Sequence, residues 1–230
     1  MSLLRTIGLG ALCVGMALLW TPQADAGPKE EQRAVKAIEV LDLIMASADS
    51  EIPESLLSKA YAIAVIPEVV KVGMVVGGRR GKGLVSVRGA DGTWSNPSYI
   101  TLTGGSFGFQ AGVQSADVVL VFRTPRGVDT LINGKFTLGA DASVAAGPVG
   151  RQASAATDAE LKAEILAYAR SRGLFAGVAL DGTVLSIDWD ANERVYGGGT
   201  TPRAIFENRV RSAPSHIVDF RDQLEEKTAR

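Results

Sequence analysis

The sequence predicts an α+β fold: a strongly curved antiparallel sheet, or a partly closed β-barrel, with N-terminal and C-terminal helices packed on it. Three observations carry this. Short alternating apolar runs crowd the stretch from Tyr61 to Asp188, whereas amphipathic helical spacing dominates the two ends, at 28–47 and 201–227. Glycine is dense, with 26 residues in 230. Gly104, Gly105, Gly108, Gly112, Gly139 and Gly177 fall inside or beside strand patterns, where glycine marks bulges and sharp bends.

The chain begins with an export signature. Arg5 supplies a positive start, "IGLGALCVGMALLW" (7–20) is apolar, and "ADA" (24–26) is a small-x-small cleavage pattern. The apolar run is short for a permanent anchor, which needs roughly 20 residues. The expectation is cleavage after Ala26, one domain over 27–230, and a periplasmic or envelope location. Cys13, the single cysteine, lies inside the apolar run rather than at its end, so lipidation there is not expected. The mature chain then has no disulfide, and its stability comes from packing.

The elements follow in order. In "PKEEQRAVKAIEVLDLIMAS" (28–47), Val35, Ile38, Leu41 and Met45 recur at helical spacing behind early acidic residues. "IPESLLSKA" (52–60) opens a short second helix at Pro53. "YAIAVI" reads as a strand ending at Pro67. "VGMVVGGRRGKG" (72–83) reads as a tight hairpin turn, with Gly77 and Gly78 at positive φ and its cations in water. Asp91-Gly92 marks a second hairpin, and 98–124 reads as three short strands broken at "GG" and "SAD". A short helix is expected over 124–133, and small-residue strand over 135–147. Residues 165–188 read as two or three strands, turning at 171–173 and 181–182; a helix over 158–170 is the alternative. The tail reads as two helices starting near Pro202 and Pro214. No period of 20–50 residues recurs.

The composition and motifs exclude most chemistry. A net charge of −1 gives no global field toward nucleic acid or acidic lipid, so any anion site is a local patch. "GGRRGKG" is not a P-loop: Val76 stands where the first glycine belongs, Gly83 replaces Ser or Thr, and a strand pattern follows. "GGSFG" (104–108) matches a nucleophile elbow at Ser106, with Asp188 or Asp190 and His216 in the right order. The elbow needs strand, turn and helix, and "FGFQAGVQ" alternates like a strand. One histidine and no mature cysteine disfavour a zinc site. "DWDANE" (188–193) lacks calcium-loop spacing and reads as a polar strand-to-helix turn; His216 reads as a surface or capping residue. No enzyme, metal or cofactor is expected.

Four stretches together resemble the SYLF domain family, also described as an actin-regulator family: "GKGLVSVRGADGTWSNPSYI" (81–100), "GGSFGFQAGVQSADVVLVF" (104–122), "LGADASVAAGPVGR" (138–151) and "YARSRGLFAGVALDG" (168–182). The likeness runs from about Ile52 to Gly197. It implies a module that binds phosphoinositide-like lipids, in some members also actin; actin is not expected for an exported chain. On this basis Arg79, Arg80, Lys82 and Lys71 are candidate head-group ligands, because Arg and Lys make charge-assisted hydrogen bonds to phosphate. Lys29, Arg33 and Lys36 on the first helix are a possible membrane contact. The other expectation is a structural or protein-interaction domain of the envelope, without lipid affinity and with an unknown protein partner.

Overall fold

The computed structural model describes residues 27–44, 52–73, 76–107, 112–149, 162–171 and 174–229. The export signature lies outside them. Helix α1 (Pro28–Ile44) and the short α2 (Glu54–Leu57) lead into β1 (Ala62–Gly73), β2 (Val76–Val87), β3 (Ser98–Phe107) and β4 (Gly112–Phe122). Helix α3 (Arg126–Ile132), β5 (Lys135–Thr137), β6 (Val144–Ala146), β7 (Ile165–Ser171), β8 (Leu174–Gly177) and β9 (Val184–Ile187) follow. Helices α4 (Trp189–Tyr196), α5 (Pro202–Phe206) and α6 (Ser215–Thr228) close the described chain.

The strands form one sheet in the order β5-β9-β3-β2-β1-β4-β7-β6, with β8 also on β7. Its pairings are antiparallel except for the parallel pair β6–β7. Connectivity forces the curl. The edges β5 and β6 end and begin at Thr137 and Val144, seven Cα steps apart. Eight strands laid flat at about 4.8 Å spacing would hold the edges about 34 Å apart, and seven steps reach at most about 25 Å. The sheet therefore wraps into a half-barrel, as the glycine-rich strand patterns predicted.

Both faces of the curl are buried. Alternate residues of the central strands, such as Ala64, Ile66, Val85, Leu102, Leu120 and Ala167, fill the inside with Phe136, Leu138 and Leu185. Their neighbours Ile63, Val65, Leu84, Tyr99, Val121 and Tyr168 point outward, under Ala34, Ala37 and Leu41 of α1 and Ile217, Phe220 and Leu224 of α6. This explains why β1 reads as a continuous apolar run: a strand covered on both faces cannot alternate. The buried stripe of α1 runs through Ala34, Ala37, Val40 and Leu41, so Val35, expected on the apolar face, is 44% exposed. Met45 lies outside the described residues. The small alanines let the helix sit close to the sheet.

Several boundaries differ from those expected. Strand β1 runs through Pro67 because the pairing slips there: register shifts on both sides between Val65 and Val70 accommodate the missing N–H. Glu68 takes φ 50°, and its N–H donates to Asp117 Oδ1 at 3.0 Å. Among the described residues of 98–124 there are two long strands in place of the three short ones expected, since Gly104 and Gly105 pair in register with Arg79 and Gly78 and β4 runs unbroken through 115–117. Ile165–Ser171 is strand, which decides that part of 158–170 against helix.

Candidate functional site: a two-faced basic strand pair

"GGRRGKG" lies within β2, not at a hairpin tip; residues 74 and 75 lie outside the described residues. Gly77 and Gly78 do not take positive φ. Gly77, Gly81 and Gly83 serve close approach instead. A Cβ on Gly83 would fall 2.2 Å from the Val65 carbonyl oxygen, and one on Gly81 would fall 2.7 Å from Ile66 Cγ2 and Val69 Cγ2. The pattern resembled a turn because glycine is the signature of both.

Being a strand separates the cations. Side chains alternate between faces, so Arg79 points inside the curl while Arg80 and Lys82 point outside. Lys71 lies opposite Arg79 in the ladder, and Val70 opposite Arg80. The four expected head-group ligands therefore do not form one patch. Lys71 and Arg79 share the inner face, and Arg80 and Lys82 share the outer one.

On the outer face Arg80 and Lys82 meet the α1 cations. A cleft of about 580 Å³ is lined by Lys29, Arg33, Lys36, Arg80, Lys82 and Arg194, with Glu30 and Glu68. The two candidate sets, 51 residues of chain apart from Lys29 to Arg80, thus become one site. Asp188 ties two of these cations together. One of its oxygens accepts from Lys82 Nζ at 3.0 Å and Arg33 NH1 at 3.1 Å. The other accepts from the Ala191 N–H at 3.2 Å, which caps α4. Burial pushes the Asp188 carboxyl up, but the Lys82 bond, the Ala191 N–H and the charges of Lys82 and Arg33 outweigh it and hold it below its usual value.

Residues 188–193 lead from strand to helix, as expected: β9 ends at Ile187, Asp188 caps the helix, and the rest fall in α4. The first turn of α4 is fixed by Asn192, whose Oδ1 accepts from the Tyr99 N–H at 2.8 Å and whose Nδ2 donates to Tyr99 O and Ser98 Oγ at 3.1 Å each. Asn192 is the functional neighbour that sequence reasoning missed; Asp188 three residues before Ala191 was the available capping signal. The reading of His216 is corrected: it is buried on α6, and burial lowers its pKa. Ser106 lies in β3, paired with Gly77 and followed by β4, which removes the strand-turn-helix geometry of an elbow.

The outer cations differ in freedom. Arg33 is held between Asp188 and the Tyr99 ring, 5.1 Å from its centroid, with 10% of its side chain exposed. Lys36 pairs with Glu68 at 2.5 Å and Arg194 with Glu30 at 2.7 Å. Lys29 and Arg80 carry no ion pair among the described residues. Beyond the helices, the same sheet face exposes Val70, Val72 and Val113, with Val72 opposite Val113. Trp189, next to Asp188, is 52% exposed. Among the described residues no His, Cys, Asp and Glu cluster suits a metal ion, and no helix is long and apolar enough to cross a membrane.

Residues 103–227 match the family model Ysc84, described as "Las17-binding protein actin regulator". The chain belongs to the Ysc84 family. This is the SYLF family that the four quoted stretches resemble. The match covers β4, α4 and α6 and so includes Asp188. The chain is similar to LAS seventeen-binding protein 3 of Saccharomyces cerevisiae, 38% identical over 177 residues, which is 76% of this chain and 38% of the relative. It is also similar to SH3 domain-containing protein PJ696.02 of Schizosaccharomyces pombe, 39% identical over 166 residues, 71% of this chain and 38% of the relative. SH3 domain-containing YSC84-like protein 1 of Homo sapiens is 37% identical over 149 residues, 64% of this chain and 43% of the relative. The chain thus spans about two fifths of the length of the curated relatives it matches. These relatives are named as binding or SH3-containing proteins, not as enzymes.

Proposed function

We propose that this Ysc84-family domain is a non-enzymatic module that binds anionic lipid surfaces with its outer face. The observation that carries this reading is the convergence of β2 cations with α1 cations around one open cleft, on a sheet face that also exposes Val70, Val72 and Val113. Membrane-surface binding needs both parts: cations contribute roughly 1 kcal/mol each near an anionic leaflet, and apolar surface adds to that. Lys29 and Arg80 are the first to engage, since neither has to leave a carboxylate. The export signature at 7–26 supports an envelope location; intact-mass spectrometry of the mature chain tests it, with Gly27 as the expected first residue.

Co-sedimentation with anionic against neutral vesicles tests the lipid reading. Binding should favour anionic vesicles and fall as salt rises, because exposed charges are screened over about 8 Å at physiological ionic strength. Equal partitioning to both vesicles refutes it. The family description and the yeast relative's name, which says that it binds LAS seventeen, favour a second reading, in which the same basic face holds an acidic segment of a protein partner. That reading predicts capture of the partner by the pure domain and indifference to lipid charge.

A further inference from the structure

The inner face of the same strands carries a second, independent feature. Inside the curl, where β1 ends and β2 begins, lies a cleft of about 790 Å³, within the roughly 300–1,000 Å³ of small-molecule sites. Lys71 and Arg79 stand side by side at it, paired in the β1–β2 ladder. The described residues that line it include no carboxylate. Neither cation has an ion-pair or hydrogen-bond partner among the described residues, and Arg79 Nε is buried without one. Burial lowers the Arg79 pKa, yet guanidinium stays charged at neutral pH. A partly buried cation pair without a counter-ion is costly, and an incoming anion relieves that cost.

Besides the two cations, Gln114, Ser115 and Ser171 are polar, and the remaining lining residues are apolar. Val69, Val118, Val178 and Leu180 line it and continue the inner core. Gly104 leaves room beside Arg79: a Cβ there would lie 3.4 Å from Arg79 Cγ and 3.1 Å from Thr183 Oγ1, a buried hydroxyl also lacking a partner. Cations at the rim and aliphatic side chains behind them are complementary to one ligand class.

We propose that the inner cleft is a binding site for a single-chain anionic amphiphile, its acid group held by Arg79 and Lys71 and its hydrocarbon chain laid along Val69, Val118, Val178 and Leu180. The site is separate from the outer face and does not depend on membrane docking there.

Oleate is the probe, with methyl oleate as the uncharged-head control and acetate as the chainless one, each measured by displacement of a fluorescent polyene fatty acid from the purified protein. Oleate should bind at least tenfold tighter than methyl oleate, and acetate should not compete at millimolar concentration. Arg79→Gln with Lys71→Gln should reduce oleate affinity at least tenfold and leave methyl oleate unchanged. Ala169→Trp, which puts an indole into the cleft, should abolish displacement by both long-chain probes; circular dichroism and thermal melting check that it folds. Arg80→Gln with Lys82→Gln should leave oleate affinity within twofold, so failure of the outer-face reading is seen separately. Equal affinity for oleate and methyl oleate, full competition by acetate, no binding of oleate, or unchanged oleate binding in the Arg79/Lys71 variant overturns the proposal.

Discussion

Arg79 and Arg80 are adjacent in one strand and live in different electrostatic worlds. On the outer face, where Arg80 points, most cations already have carboxylates: Arg33 and Lys82 share Asp188, Lys36 has Glu68, and Arg194 has Glu30. On the inner face, Lys71 and Arg79 have no carboxylate among the described residues. The outer face is a screened, adjustable surface that suits weak and reversible contact. The inner face is a small uncompensated site that suits one anion. Counting basic residues along the strand hides this, because the pleat sends successive charges to opposite sides.

The comparison rests first on the strand geometry. Gly83→Val should break both faces at once, costing about 3 kcal/mol or more, since its Cβ would meet the Val65 carbonyl at 2.2 Å and backbone cannot yield as a side chain can. Gly78→Val, with its nearest contact at 3.8 Å, should stay within about 0.5 kcal/mol of the parent. Urea denaturation of the two variants checks this; equal costs would mean that the glycines are not there for close approach.

Asp188→Ala should have the next largest effect. It removes the α4 cap and leaves Arg33, only 10% exposed, without its carboxylate, together about 2–3 kcal/mol. The same change frees Lys82 and should tighten binding to anionic vesicles, so stability and affinity move in opposite directions. Because the folded carboxyl sits below its ordinary value, its stabilisation is complete above about pH 4 and is lost as pH falls through the folded pKa. Thermal melts of parent and Asp188→Asn should therefore converge in acid and separate above about pH 4.

Arg80→Gln with Lys82→Gln should weaken anionic-vesicle binding about 10–30-fold at low salt, from roughly 1 kcal/mol per cation, and flatten the salt response. Its stability cost should stay under about 1 kcal/mol, because both side chains are exposed. Vesicle titration of this variant that matches the parent would leave the outer face to protein partners. The smallest effect belongs to Glu68→Gln. It unpairs Lys36 at an exposed site, so stability should change by less than about 0.5 kcal/mol while vesicle affinity rises by a few-fold at most.

How much of this was legible varies by element. Helix α6, the Asp91-Gly92 turn and the curl itself were readable, because amphipathic spacing, a Gly at φ 88° and strand glycines are local signals. The extent of β2 was not. Glycine spells both a turn and a close strand crossing, and Val65, Ile66 and Val69, 12 to 18 residues upstream of Gly81 and Gly83, decide between them. The Val35 placement failed for a related reason: α1 follows its alanines, which fit against α6 and the sheet where valine would stand the helix off.

The sequence by itself determined the ingredients: an α+β chain of the Ysc84 family, a curled sheet between helical ends, and two basic segments, one on α1 and one in the glycine run. These depend on composition and short-range periodicity, which a chain carries wherever it folds. Tertiary structure alone decided how the charges are grouped. It joined Lys29, Arg33 and Lys36 to Arg80 and Lys82, set Asp188 between them from 106 residues beyond Lys82, and turned Lys71 and Arg79 into a separate cleft. The physical reason is that face assignment depends on strand register, and register is fixed by partners distant in sequence.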